Sequence, residues 1–248
     1  MRKYTGYILI SFLILACSGS KDTSNMTPEE HFNYAMELYN DEDYDEVVNE
    51  FQTILLQYPG STINDDAQYY LGMTYFKREQ FLLSAYEFSK LIRDIPASTF
   101  VPDAQFMLSD SYYNLSPPYQ LDQAYTKKAI EEFQAFIDFF PMNPKVEEAE
   151  NKIHELNERL AEKEYKSGLI YERMDLFNAA IDYYKNVVET YHDTKFAPLS
   201  LYNKIQIEIK RNKISDALKD ISYFLLRYPD DPFAEELREI QENLLTEG

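Results

Sequence analysis

From residue 28 onward the apolar positions recur at spacings of three and four, the pattern of helices that bury one stripe. These periodic segments come in pairs, and each pair closes on a similar phrase. LLQYPGS ends the first at Leu55–Ser61 and LLRYPDD the last at Leu225–Asp231, with IRDIPAS, IDFFPMN and VETYHDT holding the same place between them. Measured from its proline, the phrase steps from Pro59 to Pro96 by 37 residues, to Pro141 by 45, to His192 by 51 and to Pro229 by 37. Self-similarity at such a period marks an array of stacked repeats. Proline cannot continue a helix, because its ring clashes with the preceding turn and it lacks an N–H. The phrase is a stop between one helix pair and the next.

Other positions keep the same step. In the first helix of each pair Tyr34, Leu71 and Leu108 match, then Ala35, Gly72 and Ser109, then Leu38, Tyr75 and Tyr112. In the second helix Val47, Ser84, Ala129, Ala180 and Ala217 match, and four residues on come Phe51, Phe88, Phe133, Tyr184 and Ile221. Residues four apart share a helix face. A small residue one turn before a large one lets two antiparallel helices approach closely, with the ring filling the gap. The irregular steps add two features. Eight extra residues fall around LSPPYQLD, Leu115–Asp122, and lengthen the turn of the third pair. Fourteen precede the fourth, where Ile153, Leu156 and Leu160 form one stripe without a breaker, so a single long helix runs into that repeat. After Pro229, Asp231 as N-cap and Pro232 at the first helical position open a charged terminal helix that caps the array. Strand signals are sparse. The predicted fold is all-α, with repeats one to three in residues 28–144, a linking helix in 145–160, repeats four and five in 161–231 and a capping helix in 232–248.

The first residues read differently. Arg2 and Lys3 precede the apolar run Tyr7–Ala16, too short to span a bilayer core, which needs about 20 residues, and suited to a secretory signal. Residues 1–16 are the expected signal peptide. It ends at Cys17, the only cysteine, and Ile14–Cys17 resembles a bacterial lipobox, which implies cleavage and a covalent lipid on Cys17. Ser18 in the next position implies the outer membrane, on its periplasmic face. Residues 17–27 are a polar tether, and Thr27-Pro28-Glu29-Glu30 makes a capping box for the first helix.

Charge narrows the partners. Of 24 basic residues, Arg2 and Lys3 belong to the signal, leaving 22 against 43 acidic ones, a net charge of −21. Nucleic acid needs a basic footprint, and anionic head groups would repel this chain, so the membrane is reached through the lipid. Chemistry is scarce. Gly60, Gly72 and Gly168 lie too far apart for a phosphate cradle, and His31, His154 and His192 show no metalloprotease spacing. Asp41, Asp43 and Asp45 mimic the start of a calcium loop, but Glu46 stands where glycine is required and Gln52 where the bidentate glutamate belongs, so a solvated turn is expected. His192 occupies the proline slot of the repeat. The reading is of a non-enzyme with no cofactor beyond the lipid.

The repeats resemble tetratricopeptide repeats, three residues longer than the usual unit. With the lipobox, the lengthened third repeat and the helix before the fourth, the chain resembles the BamD family, the lipoprotein subunits of the machine that folds β-barrels into the bacterial outer membrane. The stretches Ser116–Pro141 and Ile153–Tyr184 carry that resemblance most specifically. Departures are Ser109-Asp110, where many relatives have Arg-Gly, and Lys204, Ile205 and Glu208 in an atypical fifth repeat. The resemblance implies a right-handed superhelical array of five hairpins plus the cap, binding to the barrel-forming subunit BamA, and capture of C-terminal segments of unfolded barrel precursors. The alternative is another periplasmic repeat lipoprotein, a scaffold in envelope division or peptidoglycan coordination. Tyr119, Arg159 and Arg173, in and beside the insertions, are the expected docking residues. First helices line the concave side of such arrays. At about 100° per residue, Phe32, Met36 and Tyr39 form one stripe, repeated as Tyr69, Met73 and Phe76 and as Phe106, Asp110 and Tyr113. These residues are the expected peptide groove, with packing between repeats as the other reading of the same stripe. The stripe fades at Glu172, Gln206 and Ile209.

Overall fold

The computed structural model describes residues 23–246, so the expected signal peptide and Cys17 lie outside the described residues. Eleven helices and no strand occur among them: α1 Pro28–Asn40, α2 Tyr44–Gln57, α3 Asn64–Lys77, α4 Phe81–Asp94, α5 Val101–Leu115, α6 Ala124–Phe139, α7 Val146–Arg173, α8 Phe177–Thr190, α9 Phe196–Lys210, α10 Ile214–Arg227 and α11 Ala234–Thr246. Each packs chiefly on its neighbour in the chain, and α7 reaches both α5 and α9. The fold is an all-α tetratricopeptide-like array of five hairpins and a terminal helix.

Local chemistry sets the helix ends. The capping box at α1 is formed: the Glu30 N–H donates to Thr27 Oγ1 (3.2 Å) and the Thr27 N–H to Glu30 Oε2 (2.9 Å). The second helices of all five hairpins end on Tyr58, Ile95, Phe140, Tyr191 and Tyr228, each extended away from helical geometry with φ between −120° and −131°. Proline disfavours the α region for the residue before it, and it follows four of these five. His192 fills the slot, its carbonyl accepting from the Tyr228 hydroxyl at 3.1 Å. Within four hairpins the turn is three residues long, with Glu42, Glu79, Asp175 or Asn212 at positive φ in its centre. The acidic stretch Asp41–Asp45 runs from one of these turns into α2, and Asp45 pairs with Arg78 at 2.6 Å.

The matched small and large residues are the core. Val47, Ser84, Ala129, Ala180 and Ala217 are fully buried, as are Phe51, Phe88, Phe133, Tyr184 and Ile221. Glycine is required where the ring presses hardest: a Cβ on Gly72 would lie 2.8 Å from Phe88 Cε1, and one on Gly168 2.5 Å from Tyr184 Cε1. In the fifth hairpin Ile205 takes the small position and Ile221 the large one, so side-chain volume moves from one helix to the other.

The insertions resolve into two devices. The eight extra residues of the third hairpin divide between its turn, 116–123, and slightly longer helices α5 and α6. The fourteen extra residues make α7 a single 28-residue helix, about 42 Å long, and the expected boundary at 160/161 falls inside it. Its first half covers hairpin three, with Ala149 and Leu156 against Phe106 and Phe133. Its second half is the first helix of hairpin four. One expectation is corrected at the C-terminus. Pro232 is not the first helical residue: α11 begins at Ala234, and Asp231 Oδ1 instead accepts the Phe233 N–H at 3.0 Å, closing a turn ahead of the helix.

Candidate functional site

Two surfaces concentrate the expected site residues. The first is the face shared by α1 and α3. Phe32 sits 5.8 Å from Phe51 and 6.1 Å from Tyr70, and Tyr39 is 5.5 Å from Tyr70 between ring centroids. Tyr69 stacks on Phe100 at 4.6 Å, and Phe76 meets Phe81 edge-on at 5.2 Å. Met36 and Met73 pack beside these rings. Phe32, Met36, Tyr39, Tyr69, Met73 and Phe76 are all half-buried. Each is packed on one side and open to solvent on the other. Burial, reinforced by the nearby Asp103 carboxylate, pushes the Tyr69 hydroxyl up to about 12, so it stays a neutral donor. Tyr70, which joins Phe32, Tyr39, Phe51 and Tyr69, is the hub of the cluster. It lies one residue off the 37-residue match, so the stripe does not include it.

Along α5 the stripe changes character. Phe106 is not a groove residue: it is 4% exposed and clamped by Phe133 and Phe136 inside hairpin three. The reason is α7, whose extra turns cover the side of α5 that would otherwise face outward. The two helices are joined by a ladder with a near-constant offset. Lys145 pairs with Asp103 at 2.8 Å, Lys152 with Asp110, and the Tyr113 hydroxyl donates to Glu155 at 2.6 Å. Lys152 also stands 4.6 Å over the Tyr113 ring. Burial and the Glu155 carboxylate raise the Tyr113 hydroxyl to about 12. The first-helix face is aromatic in hairpins one and two and ionic in hairpin three.

The second surface is the 116–123 turn on α7. The ladder continues onto it, with Arg159 Nη1 donating to Ser116 O at 2.9 Å and Ser116 Oγ at 2.7 Å, and Lys163 Nζ to Leu121 O at 2.6 Å. Gln123 braces the turn from within, donating to the carbonyls of Pro118 and Leu121. Tyr119 and Arg159 line one cavity of about 340 Å3, with Glu155, Glu158 and Lys195. The structure therefore brings these two expected docking residues together. The guanidinium of Arg159 holds the loop, a positioning role rather than a free charge for a partner. Arg173 is exposed in the last turn of α7, about 21 Å along the axis from Arg159, and belongs to neither surface.

No group of three or more metal-ligating side chains occurs among the described residues, and no described helix is long and apolar enough to cross a membrane. The family model YfiO, described as outer membrane lipoprotein, matches residues 24–213. The chain belongs to the YfiO family of outer membrane lipoproteins. Similar proteins include the outer membrane protein assembly factor BamD of Rickettsia prowazekii, 24% identical over 225 residues that cover 90% of each chain. The factor of the same name from Pasteurella multocida is 22% identical over 205 residues, 79% of each. Among solved structures, a TPR repeats protein of Bacteroides fragilis is 13% identical, covering 90% of this chain and 99% of its own at a TM-score of 0.46. A thermophilic TPR protein of Thermus thermophilus is 17% identical, covering 89% and 100% at 0.34. The family match spans both candidate surfaces. It stops at Lys213, leaving α10 and α11 beyond it.

Proposed function

We propose that this YfiO-family chain is a non-catalytic assembly factor, held at the periplasmic face of the outer membrane by a lipid on Cys17. In this reading the braced 116–123 turn and α7 dock the barrel subunit BamA. The aromatic face of α1 and α3 receives C-terminal segments of unfolded barrel precursors. The family match over residues 24–213 carries the assignment, and the likeness to two proteins named assembly factor BamD gives it direction. The half-buried rings support the peptide site on physical grounds. Flat aromatic surface with one side already packed loses little side-chain freedom when a ligand covers the other, and methionine beside it adapts to related sequences. An extended segment with aromatic side chains at alternate positions presents one row of rings to such a face.

The test is binding of a C-terminal barrel peptide to the double variant Tyr69→Ala, Phe76→Ala. Loss of a central aromatic anchor costs about 2 kcal/mol or more, roughly thirtyfold in affinity. Helicity by circular dichroism separates lost binding from lost fold. A folded double variant that binds as tightly as wild type refutes the groove, while undiminished BamA capture by a chain lacking residues 116–121 refutes the docking loop.

A further inference from the structure

The fifth hairpin breaks the repeat pattern at its centre. Once the insertions of 8 and 14 residues are allowed for, the repeat register places Lys204 where Leu71 and Leu108 stand, and Glu208 where Tyr75 and Tyr112 stand. Both put charge where hairpins one to three have Tyr34, Leu71 and Leu108 and then Leu38, Tyr75 and Tyr112, and where hairpin four has the neutral Ser167 and Tyr171. Lys204 pairs with Asp220 of α10 and lies 3.4 Å from Glu208 Oε1. Glu208 is 4% exposed, and its other oxygen, Oε2, has no hydrogen-bond partner among the described residues. Leaving a buried acceptor of a charged group unpaired is costly.

Glu208 lines a cavity of about 730 Å3 between α8 and α10, floored by α9, with Oε2 itself buried. Its outer lining is balanced, with Asp182, Glu189 and Asp216 against Lys185, Lys213 and Lys219. With Glu208 ionised, the excess charge therefore sits at the floor, where two carboxylates, Glu208 and Asp220, face one ammonium. The missing element is one cation with a donor for the Glu208 carboxylate.

We propose that the α8–α10 groove is a receptor for an arginine side chain of a partner polypeptide, whose guanidinium enters beside Lys204 and donates to the Glu208 carboxylate. This surface is separate from the aromatic face and from the 116–123 turn. Arginine fits better than lysine for two reasons. Its planar fork donates to several acceptors at once, and its weaker hydration lowers the cost of leaving water. The bound side chain completes a two-carboxylate, two-cation network with its charges matched.

Amide NMR of the deuterated mature chain in detergent tests the assignment, titrated with N-acetyl-arginine-N-methylamide and, in parallel, with the near-isosteric neutral citrulline derivative. The expected result is a saturable shift of α9 and α10 amides around residues 204–220 with the arginine probe only, weakened at least tenfold in Glu208→Gln. Equal responses to the two probes, shifts that map elsewhere, or unchanged affinity in Glu208→Gln overturn it. The probe comparison is made on the wild-type chain, so the proposal remains testable whatever the variant does to folding.

Discussion

Replacing Gly168 by alanine in the middle of α7 probes how tightly the small-to-large ladder is set. The new Cβ would stand 2.5 Å from Tyr184 Cε1 and 2.8 Å from Cδ1, where carbon atoms at their best separation are about 3.5–4.0 Å apart. Tyr184 is fully buried, and its hydroxyl is anchored, donating to Glu172 at 2.6 Å and accepting from Asn203 at 3.3 Å. The ring cannot withdraw without straining those bonds. Overpacking costs about 1–3 kcal/mol, and loosening a hydrogen bond to a charged acceptor about 1.5–3 kcal/mol. Alanine's better helix propensity offsets about 1 kcal/mol. The net expectation is a loss of about 1.5–5 kcal/mol, larger than for Gly72→Ala, where Phe88 has no hydroxyl to anchor it. Urea unfolding followed by far-UV circular dichroism measures the change. Adding Tyr184→Leu should recover part of it, because that pair approaches the Ile205–Ile221 arrangement of the fifth hairpin. A Gly168→Ala chain as stable as wild type, or strictly additive effects in the double variant, would refute the close-approach argument.

Burial pushes the Glu208 carboxyl up to about 7, opposed by Lys204 and aided by Asp220. The folded chain thus holds this proton more tightly than the unfolded one, and the contribution to stability is full below the ordinary carboxylate value and lost as pH rises through about 7. Relative to wild type, Glu208→Gln should flatten the decline in urea midpoint between pH 5 and 8, by up to about 3 kcal/mol; parallel pH profiles would count against it. Arg159→Ala should release the 116–123 turn from α7, exposing its peptide bonds to faster hydrogen exchange and weakening BamA capture, whereas Tyr119→Ala should weaken capture and leave exchange unchanged. Protection of the turn that survives Arg159→Ala would show that Gln123 and Lys163 suffice. Cys17→Ala should shift the protein out of the outer-membrane fraction, which fractionation of cells lacking any retaining partner will decide.

Local rules were enough for the frame of this molecule. The capping box at Thr27, the helix ends before Pro59, Pro96, Pro141 and Pro229, and the ladder from Val47–Phe51 to Ala217–Ile221 depend on backbone sterics and on side chains one turn apart. Each is written within a few residues. Even the unbroken length of α7 was readable, because a helix continues unless something stops it. What hairpins present to one another was not. Phe106 and Tyr113 occupy matching places on one stripe, yet Phe106 entered the core and Tyr113 joined a ladder with Glu155, because α7 lies over α5. Arg159 read as a docking residue, but the turn 43 residues before it folds back onto its guanidinium. Tyr70 became the hub of the aromatic face, and Glu208 was left with an unpaired oxygen at the floor of a groove. These outcomes depend on how far each hairpin rotates on the last, a quantity set by the packing of many side chains together and carried by no single stretch of the chain.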